Sequence, residues 1–341
     1  MKRNKIVTFG EVLLRLSKDN SRRLSQGRDF HGNFGGSEAN AAVSMAMFGN
    51  KVEYVTRLPR NDMGTACLRS LREYGLYLSH VCWGGERLGT YYFEAAAAMR
   101  NSRVVYDRKG SSFYSMTPGM IDWHDVFSDA YLFHCSGITC ALSYEAQDAT
   151  FEAVRIADEM GLTITCDINY RKNLWKYGAD AHDVLHRLMQ HSTFIFGDQN
   201  EWEVASGLPH IPFTASDSNY RLDIPAYEAY FANLHQQFPR CRQMLIALRN
   251  QITTNHHTLT GVLWSDGTIY TTHIYDISPV IDPMGVGDAF VAAFIHARSK
   301  WGDDPQRCLD FSLAASQLKN SVQGDFNLVT EEEVTEQMIP E

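Results

Sequence analysis

The chain has 341 residues, 44% hydrophobic and 21% charged, and its 40 acidic against 31 basic side chains give a net charge of −9. That length and polarity suit a soluble protein with a sizeable core, built as one large domain or two smaller ones; an acidic balance with no Lys/Arg-rich run argues against a nucleic-acid-binding surface. The apolar N-terminal stretch is broken by Glu11 and Arg15, so it reads as neither a signal peptide nor a membrane span, and the seven singly spaced cysteines, with no CxxC pair, read as buried thiols of a reducing cytoplasm rather than a disulfide framework or a zinc site.

In chain order, "KIVTFG" (5–10) predicts a strand and "SEANAAVSMAMFG" (37–49) a helix with small residues on one face and a glycine stop. "KVEYVTRL" (51–58) follows as a strand and "GTACLRSLREYG" (64–75) as a helix. Residues 88–107, rich in aromatic and β-branched side chains and split by "RNSR", predict two strands of a small β flap, shared with part of residues 12–33. The alanine run inside that stretch supports a helix equally well. Strands are then predicted at "AYLFHCSG" (130–137), "LTITCDIN" (162–169), "STFIFG" (192–197) and "QMLIAL" (243–248), with a helix over 144–161. Residues 206–227, rich in Pro, Ser and Asp, form the one long loop candidate. Strand–helix alternation of this kind predicts an α/β fold: a doubly wound Rossmann-type parallel sheet with helices on both faces.

Four stretches carry chemistry. In "DPMGVGDAF" (282–290) two glycines precede an apolar helix, where free N–H groups and the positive dipole end form an anion site. Asp288 in that first turn is either a carboxylate that favours the helix dipole or a base beside a bound anion. In "GNFGGSEANAA" (32–42) a glycine pair invites close backbone approach, with Glu38 and Asn40 either packed on the helix or, for Glu38, solvated. "VVYDRKGSS" (104–112) and "DINYRKNLW" (167–175) each place an arginine, Arg108 or Arg171, just behind a tyrosine; both are either surface salt-bridge partners or a planar fork for a carboxylate. In "FGDQNEWE" (196–203) Asp198 and Glu201 stand on one side of a helix start, as an N-cap with an acidic first turn or as Mg²⁺ ligands, directly or through water. Neither a Walker A sequence nor a GxGxxG after the first strand is present, which disfavours a P-loop enzyme and a dinucleotide dehydrogenase.

These four stretches, in this order, resemble the PfkB, or ribokinase-like, carbohydrate kinases over nearly the whole chain. The resemblance implies a single kinase domain over 1–341 whose β lid is formed by roughly 12–33 and 88–110, homodimers built through the lids, a cytoplasmic location, and ATP- and Mg²⁺-dependent phosphorylation of a sugar hydroxyl. It also implies that Asp288 is the base and that the N–H groups of Gly285, Val286 and Gly287 form the anion hole. Gly35, Gly36, Asn40, Tyr91, Tyr106, Arg108, Arg171 and Asp325 would surround the sugar, while Asp198, Glu201 and Arg249 would face the nucleotide, the first two through Mg²⁺. Within the family "YDRKGSS", "SGITCALS" and "DINYRKNLW" are most similar to kinases of 2-keto-3-deoxygluconate; a neutral ketose such as fructose, another sugar acid, or a homologue that binds without catalysis are the alternatives. Two departures stand out. Asp198 replaces the family's usual Asn, and the glycine-rich nucleotide segment is replaced by "ALRNQITTNHHTLTGVLW" (247–264), read as an insertion with His256 and His257 in a solvated loop. Asp282 has no assigned role.

Overall fold

The computed structural model describes residues 3–19, 21–213, 220–302 and 304–338. The run Lys5–Phe9 is buried along its whole length, as a strand covered on both faces must be. It lies within a nine-stranded sheet ordered Thr268–Thr271, His256–Ser265, Gln243–Thr253, Phe194–Gly197, Thr163–Asp167, Ala130–Ser136, Lys5–Phe9, Lys51–Val55, with Tyr275–Ile277 paired onto His256–Ser265. Pairing from Gln243–Thr253 through to Lys51–Val55 is parallel. The chain builds outward from Lys5–Phe9, first to Lys51–Val55 on one side and then to Ala130–Ser136 on the other, so the strand order reverses there. Such a switch point opens a crevice at the carboxyl ends of the strands.

Side-chain alternation sends Ile6, Leu132 and Phe196 to one face and Val7, Phe133 and Ile195 to the other. The first face is covered by the helices Ser37–Met47, Val286–Lys300 and Pro305–Lys319. Their buried alanines, among them Ala39, Ala42, Ala289, Ala292 and Ala293, keep the contact surfaces flat and allow these helices to pack closely. Tyr144–Glu159, Ala181–Gln190 and Ile224–Gln237 cover the other face.

The flap is present as a separate four-stranded sheet, ordered His31–Gly35, Leu13–Ser17, Gly89–Glu94, Arg103–Asp107. The alanine run makes no helix: residues 95–98 turn between two flap strands, with Ala98 in the left-handed region. The predicted strand 51–58 is interrupted after Val55 and resumes as Arg57–Leu58. Within the long loop, residues 214–219 lie outside the described residues; 207–213 and 220–223 have no regular structure.

One expectation is overturned. Segment 247–264 is not a solvated loop but part of an antiparallel hairpin, Gln243–Thr253 with His256–Ser265, paired from Gln243↔Ser265 to Gln251↔His257. His257 is buried, and burial pulls its imidazole down to about 4, assisted by Arg249 and His256. β-branched and aliphatic residues on both sides of a two-residue turn produce the hairpin.

Phe294 is fully buried under the sheet, edge-on to Phe194 and Phe196. Phe294→Ala is expected to cost about 3–5 kcal/mol of stability, read as a lower denaturant midpoint.

Candidate active site

A cavity of about 420 Å³ occupies the crevice. Each strand end contributes to its wall: Ile138 after Ala130–Ser136, Asp167, Asn169 and Arg171 after Thr163–Asp167, and Asp198 after Phe194–Gly197. The flap closes one side with Tyr91 and Tyr106, and the hairpin closes the other with Arg249 and Leu259.

The helix Val286–Lys300 begins inside this cavity, with Gly285 as its N-cap at φ 81. A Cβ on Gly285 would lie 2.1 Å from the Asp325 carbonyl oxygen, so no other residue fits. Gly287 differs: a Cβ there would meet nothing within 4 Å of the protein. Gly287 therefore keeps open a space that borders on the cavity. Free N–H groups at a helix start, with space before them, make an anion cradle.

Asp288 stands in the first turn of that helix. Its two oxygens accept hydrogen bonds from Ser37 Oγ at 2.8 Å and Asn40 Nδ2 at 2.7 Å. The glycine pair brings these donors into place. A Cβ on Gly36 would lie 2.2 Å from the Glu11 carbonyl, and the Gly36 N–H donates to Asn40 Oδ1 at 3.1 Å. Desolvation raises the Asp288 carboxyl above its ordinary value, opposed by the Asn40 and Ser37 hydrogen bonds. Asn169 Nδ2 in turn donates to Ser37 Oγ at 2.8 Å and to Asp167 at 2.9 Å. One aspartate is thus held by a chain of oriented polar groups from one strand end and a helix. Glu38 is not solvated. It is buried and accepts from Ser136 Oγ and Thr139 Oγ1, both at 2.6 Å, and burial lifts its carboxyl to about 6.

Asp198 is the N-cap of Gln199–Ser206 and forms a capping box with Glu201, each side chain accepting from the other's N–H at 2.9 Å. The second Glu201 oxygen accepts from Arg171 Nη1 at 2.8 Å. The capping reading and the cavity-facing reading therefore hold together. The box uses Asp198 Oδ1, and Asn169 uses Asp167 Oδ2; the other oxygen of each carboxylate has no partner among the described residues. Asp167 is held well above the ordinary carboxylate range by burial and by the nearby charges of Glu201 and Asp288. Among the described residues no group of three or more side chains is arranged to cage a metal alone. Two spare carboxylate oxygens facing a cavity suit a cation that keeps most of its waters, as Mg²⁺ does.

Asp325 faces the flap and is saturated by it. Arg15 Nη1 donates to it at 2.9 Å, Asn33 Nδ2 at 3.0 Å, and the Tyr91 hydroxyl also donates. A Cβ on Gly35, which does not line the cavity, would strike this carboxylate. Arg108 does not line the cavity either. It is buried, its Nε is 2.6 Å from Glu11, and its Nη1 has no partner among the described residues. Asp282 accepts from the N–H groups of Met284 and Gly324 and pairs with Arg15 Nη2 at 2.8 Å, so it fixes the loop that leads into the anion cradle. Sequence reasoning missed Ser37, Asp167, Asn169 and Arg15. The first three had a signal, since they follow the glycine pair or sit where a strand ends. Arg15 had none.

A doubly wound sheet with a β lid over a glycine-capped helix start defines a lidded α/β phosphotransferase. The profile of the pfkB family carbohydrate kinases matches residues 3–331. The crystal structure of 2-dehydro-3-deoxygluconokinase from Thermotoga maritima superposes with a TM-score of 0.90 at 32% identity, covering 98% of this chain and 99% of that one. The 2-dehydro-3-deoxygalactonokinase of Haloferax volcanii is 29% identical over 96% of this chain and 95% of its own, and the 2-dehydro-3-deoxygluconokinase of Thermoproteus tenax 27% identical over 94% and 89%. The chain belongs to the pfkB family: it is a carbohydrate kinase with the ribokinase-like fold.

The two glycines are expected to separate in experiment. Gly285→Ala places a Cβ against backbone at a positive φ and is expected to lower the melting temperature and abolish turnover. Gly287→Ala is expected to leave the melting temperature unchanged and still suppress turnover, because its methyl group enters the cradle.

Proposed function

We propose that the protein transfers the γ-phosphoryl group of ATP to the terminal hydroxyl of a 2-keto-3-deoxy sugar acid, with 2-keto-3-deoxygluconate as the foremost candidate. The carrying observation is Asp288, oriented by Ser37 and Asn40, one turn from an open glycine-capped helix start and in the same cavity as Arg171. Only Arg171 Nη1 has protein partners among the described residues, which leaves Nε and Nη2 to grip a carboxylate. Arg108, buried against Glu11 and outside the cavity lining, is not part of this grip. Sugar-kinase relatives named for the gluco and galacto forms of the acid support the substrate class.

In this mechanism the sugar lies beneath Tyr91 and Tyr106 with its terminal hydroxyl at Asp288. The carboxylate accepts the hydroxyl proton as the oxygen attacks phosphorus. N–H groups of Gly285, Val286 and Gly287 stabilise the charge that spreads over the phosphoryl oxygens. Arg249 lies on the nucleotide side, on the hairpin that replaces the glycine-rich segment. Asp167, Asp198 and Glu201 would hold Mg²⁺ through water and the phosphates, and the ion supplies neutralisation of phosphate charge. The lid excludes water, the competing nucleophile. Phe30 and Val105, large apolar side chains exposed on the lid, support a homodimer formed lid to lid.

Asp288→Asn is expected to lower kcat by about 10²–10⁴-fold with little change in sugar affinity. Because the base acts unprotonated and its carboxyl is raised, wild-type kcat should fall on the acid side at a pH above the ordinary aspartate range, and near-normal turnover of the variant would sink the assignment. Arg171→Ala is expected to raise KM for the acid by about 10–100-fold and to leave neutral ketoses unaffected; an equal effect on both would remove the carboxylate role. The deciding experiment is ATP consumption over 2-keto-3-deoxygluconate, its galactonate epimer and fructose. Preference for fructose would overturn the substrate class, and preference for the galactonate would reassign the sugar within it.

A further inference from the structure

Lys319 is the last residue of the helix Pro305–Lys319, and its side chain is fully buried. A lysine at a helix C-terminus ordinarily complements the dipole while its ammonium reaches water. This one does not. Its Nζ donates to the Val322 carbonyl at 2.8 Å, and it takes part in none of the described ion pairs. A buried ammonium with a single hydrogen bond is costly, so its location calls for a reason beyond capping.

That location is the back of the anion cradle. A Cβ on Gly285 would lie 3.3 Å from Lys319 Cε, so the glycine is also what admits the lysine chain. One turn earlier on the same helix, Ser316 Oγ donates to the Val286 carbonyl at 3.0 Å. Ser316 therefore braces the first residue of the other helix, and Lys319 lies against its glycine cap. We infer that Lys319 is a positioning residue for phosphoryl transfer: a buried cation behind Gly285 that holds the loop 282–287 and adds positive potential to the cradle. This rests on reading 285–287 as the phosphate site. A charge held in a low-dielectric interior acts over longer distances than one in water.

The charges around Lys319 are Asp282 and Asp325 from the two flanking loops, Asp288 from the helix Val286–Lys300, and Arg15 from the lid. Burial outweighs the attraction of the aspartates and brings the ammonium down to about 8. Of the neighbours, Arg15 stays charged and burial holds Tyr91 well above its ordinary value, so neither titrates there.

The test is kcat against pH for the wild type and Lys319→Met. Wild-type kcat is expected to decline on the alkaline side through about 8 as Lys319 loses its proton. In Lys319→Met kcat falls about tenfold or more, sugar KM changes little, and the alkaline limb disappears. The melting temperature does not fall, because methionine fills the space without burying a charge. A bracing role alone would leave the limb in place. Wild-type kcat that stays flat through the alkaline range overturns the inference whether or not the variant folds, as does a folded Lys319→Met with wild-type kcat or a retained limb. If Gly287→Ala also keeps its turnover, the phosphate-site reading itself is at fault; if only the lysine tests fail, that reading stands.

Discussion

No side chain fits on the α-carbon of Gly285, and the site is arranged around that restriction. The Asp325 carbonyl lies where a Cβ would go, and Lys319 presses on the same side. The contact accompanies a left-handed N-cap at Gly285, and residues 285–287 line the cavity where the helix Val286–Lys300 begins. Asp288 then falls one turn in, where Ser37 and Asn40 reach it. A larger residue at 285 would displace the helix start and Asp288 together.

The second organising feature is an excess of carboxylates. Asp167, Asp198, Glu201 and Asp288 share one cavity wall, with Arg171 as their nearest cation. Burial, with repulsion from neighbouring carboxylates, raises Asp167, Glu201 and Asp288. Such crowding lowers stability in the free protein, a cost suited to a site that receives a cation. The polar network of Ser37 and Asn169 sets the orientation of Asp288 ahead of binding, so reorganisation at the moment of reaction is small.

The lid is joined to this arrangement by charge. Arg15 from a lid strand pairs with both Asp282 and Asp325 and lies over the Phe93 ring. Since Asp282 fixes the loop before the cradle and Asp325 backs Gly285, lid position and cradle geometry share one buried ion-pair cluster. Truncating one partner of such a cluster is more damaging than the pair is stabilising, because the others remain charged and dry.

Legibility in the sequence followed the range of the interactions. The strands at 5–10, 130–137, 162–169 and 192–197, the lid strands and the glycine-capped helix were readable because alternation, burial runs and glycine positions are local. "DPMGVGDAF" by itself left Asp288 between a dipole partner and a base, and "FGDQNEWE" left Asp198 and Glu201 between a cap and a metal site. The fold shows that the second choice was not exclusive, since a capping box uses one oxygen of Asp198 and leaves the other facing the cavity. The hairpin at 243–265 was misread because its register depends on pairing across a turn rather than on glycine content. Local pattern in the sequence thus determined the sheet, the lid and the helix start. Which charges meet was decided by tertiary structure alone: Arg15 with Asp325, 310 positions apart, Asn40 with Asp288, and Lys319 behind Gly285 come together only when the sheet closes, because a charge finds its partner in space and leaves no periodicity in the chain.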